Sequence, residues 1–288
     1  MIVKYTDSPF FSVVIPTLNE KHFLPHILDD LAKQKTDSFE VIIVDGRSDD
    51  GTCEEASQFK DKLKLHIIST QKRNVAYQRN IGAQSAEGKY VIFIDADSRI
   101  PSSFIKKAAY LVKKKKGLVF IPAIISEEKS TQAEMFFQLL NFFIDVSQSM
   151  GRPFSTGGCM IVDRGIFLTI GGFKEKLFLA EDHDLIYEAY KWGIRAKFLK
   201  DLQIKFSFRR IKREGKLKFF YKYFLATAHF LFKGEVKKKL FEYEMGGQLY
   251  NSPETKEYFS RNIGAYSVNN FISHIKKIFS NLLEEEKN

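Results

Sequence analysis

The chain has 288 residues, 44% of them hydrophobic and 28% charged, with a formal net charge of +10. These proportions are ordinary for a folded domain and exclude a disordered, collagen-like or coiled-coil chain. Two cysteines, Cys53 and Cys159, stand far apart without CxxC or His-containing ligand spacing, which excludes a disulfide scaffold and a zinc ribbon and makes a reducing compartment the default.

The opening residues, MIVKYTDSPFF, lack the basic, apolar and small-residue regions of a secretory signal. The longest stretch free of Asp, Glu, Lys and Arg covers residues 262–275 and is rich in Asn and Ser. It is too short and polar to cross ~30 Å of hydrocarbon, so no spanning helix is expected.

Short apolar runs alternate with amphipathic stretches from the start, the pattern of repeated βα units around a mostly parallel sheet flanked by helices. Buried strands are predicted at residues 12–16, 40–45, 64–69 and 90–95. After the first, Phe23, Leu24, Ile27, Leu28 and Leu31 recur at helical spacing. After the second, Asp50-Gly51-Thr52 supplies turn and capping chemistry for a helix running to Phe59. A fifth apolar run, 117–123, follows a helix ending in Lys113 to Lys116, where cations suit the helix dipole. Beyond Ser126 the rhythm changes to a helix-like stretch at 131–150, a glycine-punctuated segment at 155–162, a helix at 181–192 and a strand at 195–199. The sheet domain is placed at residues 1–207, with a basic, aromatic, helical extension at 208–288.

The charge is concentrated. Residues 195–239 hold fifteen Lys or Arg against Asp201, Glu214 and Glu235, so the rest of the chain is nearly neutral. Within that segment, FFYKYFLATAHFLF at 219–232 reads as a helix with Lys218, Lys222, His229 and Lys233 on one narrow stripe and apolar side chains around the rest. Such a helix suits an anionic membrane interface; it equally suits packing on the sheet domain with one wet edge. Residues 266–283 place Phe271, Ile272, Ile275, Ile278, Phe279, Leu282 and Leu283 on one helical face. No nucleic-acid recognition motif accompanies the basic cluster, so nucleic acid is not an expected partner.

Carboxylates at the C-terminal ends of buried strands are the candidates for chemistry, because ligands of open α/β sheets gather where the loops diverge. Asp45 ends VIIVD, and Asp95 ends YVIFID, followed by Ala96 and Asp97. An Asp-X-Asp pair leaving a strand is a hard-oxygen site suited to Mg²⁺ or Mn²⁺. Its other reading is that Asp97 and Ser98 cap the next helix. Glu181, Asp182 and Asp184 open a helix, where acids also complement the dipole.

Three blocks in order, SVVIPTLNE from Ser12, VIIVDGRSDDGT from Val41 and RNVAYQRNIGAQSAEGKYVIFIDADS from Arg73, resemble the family 2 glycosyltransferases of the GT-A fold. Gly157-Gly158 and GGFKEKLFLAEDHDL from Gly171 match the family's downstream segments, so the likeness covers residues 10 to 200 or thereabouts. The resemblance implies transfer of a sugar from a nucleotide-diphospho-sugar, with inversion, to a glycan or lipid-linked acceptor. It implies that Pro16, Thr17, Asn19 and Glu20 surround the nucleotide and that Asp45 accepts a hydrogen bond from the base, which favours a UDP-sugar. Arg79, Gly157, Gly158 and Glu181 join the nucleotide-sugar site, and Asp95 faces the ribose or metal. Asp97 binds the divalent cation, and Asp182 is the general base. Arg79 also reads as a surface cation on a helix. Arg209 and Arg210 are either a diphosphate clamp or a basic surface patch.

No Gln-X-X-Arg-Trp segment follows the acidic pair, which argues for transfer of a single sugar. The rival enzyme class is a haloacid-dehalogenase-like phosphotransferase, which also sets Asp-X-Asp at a strand end. The non-enzyme rival is an inactive, membrane-associated binding protein of the same fold. A cytoplasmic location, peripheral on the inner face of the plasma membrane, is expected.

Overall fold

The four runs predicted as buried strands all form strands. Those at Phe11–Thr17, Phe39–Asp45 and Tyr90–Ile94 are buried, because continuous Val and Ile positions need cover on both faces of a sheet. Leu65–Ser69 is not buried as expected, since it lies at the edge of the sheet and is only partly covered. The computed structural model describes residues 8–36, 38–127, 131–155, 157–177 and 179–207, together with Thr227. The helices expected within 208–288 lie outside the described residues. In chain order the elements are β1 (Phe11–Thr17), α1 (Leu24–Ala32), β2 (Phe39–Asp45), α2 (Thr52–Ser57), β3 (Leu65–Ser69), α3 (Val75–Ser85) and β4 (Tyr90–Ile94). They continue with α4 (Phe104–Lys115), β5 (Val119–Ser126), α5 (Thr131–Ser147), β6 (Cys159–Asp163), α6 (Arg164–Thr169), α7 (Glu181–Lys191) and β7 (Lys197–Phe206).

The seven strands form one sheet in the order β3-β2-β1-β4-β6-β5-β7. β1, β2, β3 and β4 are mutually parallel, β5 and β7 are parallel, and β6 runs against both its neighbours. β6 lies in the glycine-punctuated segment, where no strand is predicted; its CMIVD run is buried but short and shadowed by Gly157-Gly158. β7 runs past the predicted residue 199 because its later half alternates buried Leu202 and Ile204 with exposed polar positions. That alternation belongs to an edge strand covered on one face.

Successive residues of β1 serve opposite sides of the sheet. Val13 and Ile15 pack with Leu24, Ile27 and Leu28 of α1 and Phe104 of α4, while Val14 packs with Ala76 and Ala83 of α3 and Phe167 of α6. α3 lies close on β1: a methyl group at Gly82 would fall 2.3 Å from Val14 Cγ1. The glycine of the RNIG segment therefore serves packing. The basic end of α4 is as expected, with Lys113, Lys114 and Lys115 in the last turn.

Candidate active site

From β1 the chain moves to β2 on one side, yet β4 returns to the other side of β1. The loops after β1, β2 and β4 diverge at that reversal, where a crevice opens at the C-terminal edge of a parallel sheet. Every predicted strand-end carboxylate arrives there, on two hydrogen-bonded clusters joined by α3.

The first cluster knits the loops after β1 and β2. Asp45 is 1% exposed; Thr17 Oγ1 donates to its Oδ1 at 2.9 Å, the Ser48 amide donates to its Oδ2 at 2.8 Å, and Ser48 Oγ donates to Oδ1. Asn19 takes a left-handed φ of 55°, donates through its amide to Ser48 Oγ at 2.8 Å and accepts at Oδ1 from the Asp49 amide at 2.9 Å. The Glu20 amide donates to Thr52 Oγ1 at 2.9 Å, and Pro16 is buried within β1. Burial, with Asp45 beside it, pushes the Cys53 thiol up to about 12, so this cysteine stays protonated and unreactive. A nucleotide base reaching Asp45 has to exchange with donors already in place.

Arg79 is the centre of the second cluster. It is 2% exposed, which removes the reading of a surface cation on a helix. Its Nη1 donates to Glu181 Oε1 at 2.9 Å; its Nη2 donates to Asp95 Oδ1 at 2.8 Å and to the Gly157 carbonyl at 3.2 Å. Its Nε has no hydrogen-bond partner among the described residues. Its guanidinium also lies 5.3 Å from the centroid of the Phe173 ring. In this structure the arginine gathers carboxylates from β4 and α7. A Cβ at Gly157 would lie 3.7 Å from Asp182 Oδ2, so Gly157 joins Arg79 to the acidic pair, whereas Gly158 backs onto Ile204 and Phe206 of β7.

Asp182 is buried and Glu181 is partly so, and their carboxyl groups shift in opposite directions. Burial raises the Glu181 carboxyl, and Asp182 beside it adds to the rise against the pull of Arg79. Burial also opposes ionisation of Asp182, but His183 and Arg79 outweigh it and hold the group below its usual range. Burial likewise disfavours the Arg79 cation, yet Asp95 and Glu181 keep it charged.

Asp97 is half-buried two residues beyond Asp95. Capping does not account for it, since α4 begins at Phe104 with Ser103 as its N-cap. The carboxylate loop is instead clamped from outside. Arg99 Nε and Nη2 fork onto Asp30 of α1 at 2.7 and 2.8 Å, and the Arg99 backbone bridges Lys205 of β7. Among the described residues, no group of three or more His, Cys, Asp or Glu is placed to hold a metal ion alone. Two carboxylates still fit a hard divalent cation whose other ligands are diphosphate oxygens and water. Arg209 and Arg210 lie outside the described residues.

Several supporting residues escape a reading by motif. Gln78 Nε2 donates to the Thr17 and Val44 carbonyls at 2.8 and 2.7 Å, pinning the ends of β1 and β2. Asn80 donates to the Phe173 carbonyl at 2.8 Å and accepts from its amide at 2.9 Å. His183, buried beside Asp182, is a third. Gln78 and Asn80 flank Arg79 in the quoted QRN segment, and that adjacency was the available signal. A recess of about 370 Å³ lined by Phe10, Gly88, Lys89 and Arg164 opens at the opposite edge of the sheet, away from these groups.

The model of the family described as Glycosyl transferase family 2 matches residues 12–171, more than half the chain. The chain belongs to that family. A family 2 relative, poly(ribitol-phosphate) β-N-acetylglucosaminyltransferase TarS of Staphylococcus aureus, is 32% identical over 219 residues, which are 71% of this chain and 36% of TarS. The chain thus spans little more than a third of that relative. The PGL/p-HBAD biosynthesis glycosyltransferase of Mycobacterium bovis is 37% identical over 186 residues, 62% of this chain and 68% of that protein. The crystal structure of S. aureus TarS 1–349 with UDP-GlcNAc aligns with a TM-score of 0.55 at 23% identity, over 68% of this chain and 58% of that one. The mannosyltransferase PcManGT from Pyrobaculum calidifontis, in complex with GDP-Man and Mn²⁺, aligns with a TM-score of 0.59 at 19% identity, over 96% and 81%. These likenesses confirm the GT-A fold expected of a family 2 chain, and family membership displaces the haloacid-dehalogenase reading.

Proposed function

We propose that the chain transfers one sugar from a nucleotide-diphospho-sugar, a UDP-sugar by preference, to an acceptor hydroxyl with inversion. The observation that carries this reading is the gathering of Asp95, Glu181 and Gly157 on buried Arg79, with Asp182 against Gly157. It sets a strand-end carboxylate beside a buried acid that stays ionised, which is what a base toward an attacking hydroxyl requires. The relatives support the class: TarS is crystallised with UDP-GlcNAc and PcManGT with GDP-Man.

Asp97 and Asp95 are the residues that would hold a divalent cation, and PcManGT with its Mn²⁺ supports that reading. When bound, such an ion stabilises the charge that develops on the departing diphosphate. Thr17, Asn19 and Glu20 shape the nucleotide end of the crevice, with Asp45 fixing their loop. Residues 1–207 form the catalytic unit in this reading, and 208–288 the extension.

A second reading concerns where the enzyme works. No helix among the described residues is long and apolar enough to cross a membrane. On α5, Phe137 is buried in the core, but Leu139, Phe142 and Phe143 are more than half exposed, as are Met135 and Met150 at either end. Phe206, the last residue of β7, packs at a tilt on Phe137 of the buried face of α5, and the strongly basic stretch of the sequence follows it directly in the chain. Apolar stripe and cationic segment together suit an anionic membrane surface and a lipid-linked acceptor. In this reading the protein works at the cytoplasmic face of a membrane.

The test is thermal stabilisation by UDP-, GDP- and dTDP-sugars with and without Mn²⁺, since a ligand bound to the native state raises the midpoint. A metal-dependent rise with UDP-sugars, lost in Asp97→Asn, is expected. A rise in Asp97→Asn equal to that of the parent overturns the metal assignment, and no rise with any donor overturns the enzyme reading.

A further inference from the structure

His183 follows Asp182 in the first turn of α7 and is 3% exposed. Its Nδ1 lies 3.2 Å from Asp182 Oδ1, its Nε2 lies 3.3 Å from Thr227 Oγ1, and its ring packs on Phe154 with centroids 5.6 Å apart. The imidazole is therefore held at Nε2 and on one face, with Nδ1 within ion-pair distance of the Asp182 carboxylate. Consecutive helix positions point ~100° apart and do not normally meet, so this approach of neighbours is a matter of side-chain placement. The partner at Nε2 comes from far along the chain, 44 residues beyond.

Which nitrogen carries the proton follows from the partners. A carboxylate only accepts, whereas a threonine hydroxyl both donates and accepts. A proton on Nδ1, the nitrogen next to the Asp182 carboxylate, leaves Nε2 as acceptor for the Thr227 hydroxyl, and the two contacts are then mutually consistent. The Asp182 oxygen facing His183 is Oδ1, while Oδ2 lies toward Gly157, next to Arg79. One oxygen faces the imidazole and the other faces the site.

We propose that His183 is a positioning residue for Asp182, locked in its Nδ1–H tautomer by Thr227, so that a residue far along the chain supplies part of the active-site framework. The proposal deepens the reading of Asp182 as general base and rests on it. It gives Thr227 a role in turnover beyond any membrane contact.

The test uses the full chain. In ¹⁵N-imidazole spectra near neutral pH, the His183 ring, assigned by its loss in His183→Asn, shows a protonated Nδ1; Thr227→Val shifts the Nε2 signal, and Asp182→Asn shifts Nδ1. A protonated Nε2, or a ring indifferent to Thr227→Val, overturns the proposal whatever the activity. Turnover is read as UDP release from UDP-GlcNAc. His183→Asn, whose amide nitrogen replaces Nδ1, keeps kcat near the parent, whereas His183→Gln and His183→Leu lower kcat about tenfold or more with the donor KM unchanged. Equal losses in Asn and Gln variants show a packing role only and overturn it. Full turnover in Asp182→Asn removes the base assignment, while the spectra still decide whether His183 holds that carboxylate.

Discussion

Arg79 Nη1 donates to Glu181 Oε1 at 2.9 Å across 102 positions of the chain. With Asp95 on its other terminal nitrogen, one buried cation ties α3, the end of β4 and the start of α7 together. Burying a guanidinium is costly, and so is taking carboxylates partly out of water; each is tolerated because the others are there. The site and a part of the fold's stability therefore depend on the same side chain.

Arg79→Met should lower stability by about 3 kcal/mol or more, because it leaves Glu181 and Asp95 without their cation. Urea unfolding reads this as a lower midpoint at unchanged slope. Arg79→Lys recovers only part, since one ammonium cannot fork to two carboxylates. An unchanged midpoint in Arg79→Met would show that the cluster contributes nothing to folding.

Asp182→Asn should retain donor binding by calorimetry and lose transfer by about 10²- to 10⁴-fold, the usual contribution of a positioned base. Parallel loss of binding would move Asp182 from proton transfer to donor contact.

The acidic pair predicts an ordered response to acid. Glu181, raised by burial, takes up its proton first; Asp182, held down by His183 and Arg79 against its own burial, stays ionised to lower pH. Folded Glu181 binds a proton more readily than the unfolded chain does, so its contribution to stability grows as pH falls through its raised pKa. The contribution of Asp182 has the opposite sign, present above its ordinary pKa and lost as pH falls through the lowered one. Turnover measured against pH should show an upper acid step that disappears in Glu181→Gln; persistence of that step assigns it to another group.

Gly82→Ala should cost about 1–3 kcal/mol, the usual range for overpacking. The added methyl meets Val14 Cγ1 at 2.3 Å and Val44 Cγ2 at 3.2 Å, so α3 has to lift from the sheet. Donor affinity should fall with stability, because Gln78 and Arg79 ride on the same helix. The double variant Val14→Ala, Gly82→Ala restores the space; failure to regain donor affinity there would uncouple the packing from the site.

Replacing Leu139, Phe142 and Phe143 together by Ser should weaken co-sedimentation with anionic vesicles at constant thermal midpoint, since all three side chains are more than half exposed. Deleting residues 219–288 should weaken it further. Undiminished sedimentation in both variants would place the membrane contact elsewhere or remove it.

The parallel half of the sheet is legible because its strands are uninterrupted apolar runs separated by turn residues, and the strand-end carboxylates follow from them. β6 escapes notice because five buried residues after a Gly-Gly pair carry little periodic signal. The full extent of β7 escapes it because an edge strand alternates polar and apolar positions. In the site, Asp45, Asp95 and Asp182 can be picked out by residue type and place, but their partners cannot. Arg79 gives no local sign of being buried: α3 has little amphipathic pattern, and what encloses the arginine lies on β4 and α7. His183 is hidden for the same reason, since its Nε2 partner is 44 positions away.

Gln78, Arg79 and Asn80 occupy consecutive positions of one helix and reach three different places: two strand ends, a carboxylate pair and the loop at Phe173. Their directions are set by the winding of the helix, about 100° from each to the next. A single residue inserted earlier in α3 would turn all three away from their partners together. What the site fixes is the phase at which the helix arrives on the sheet.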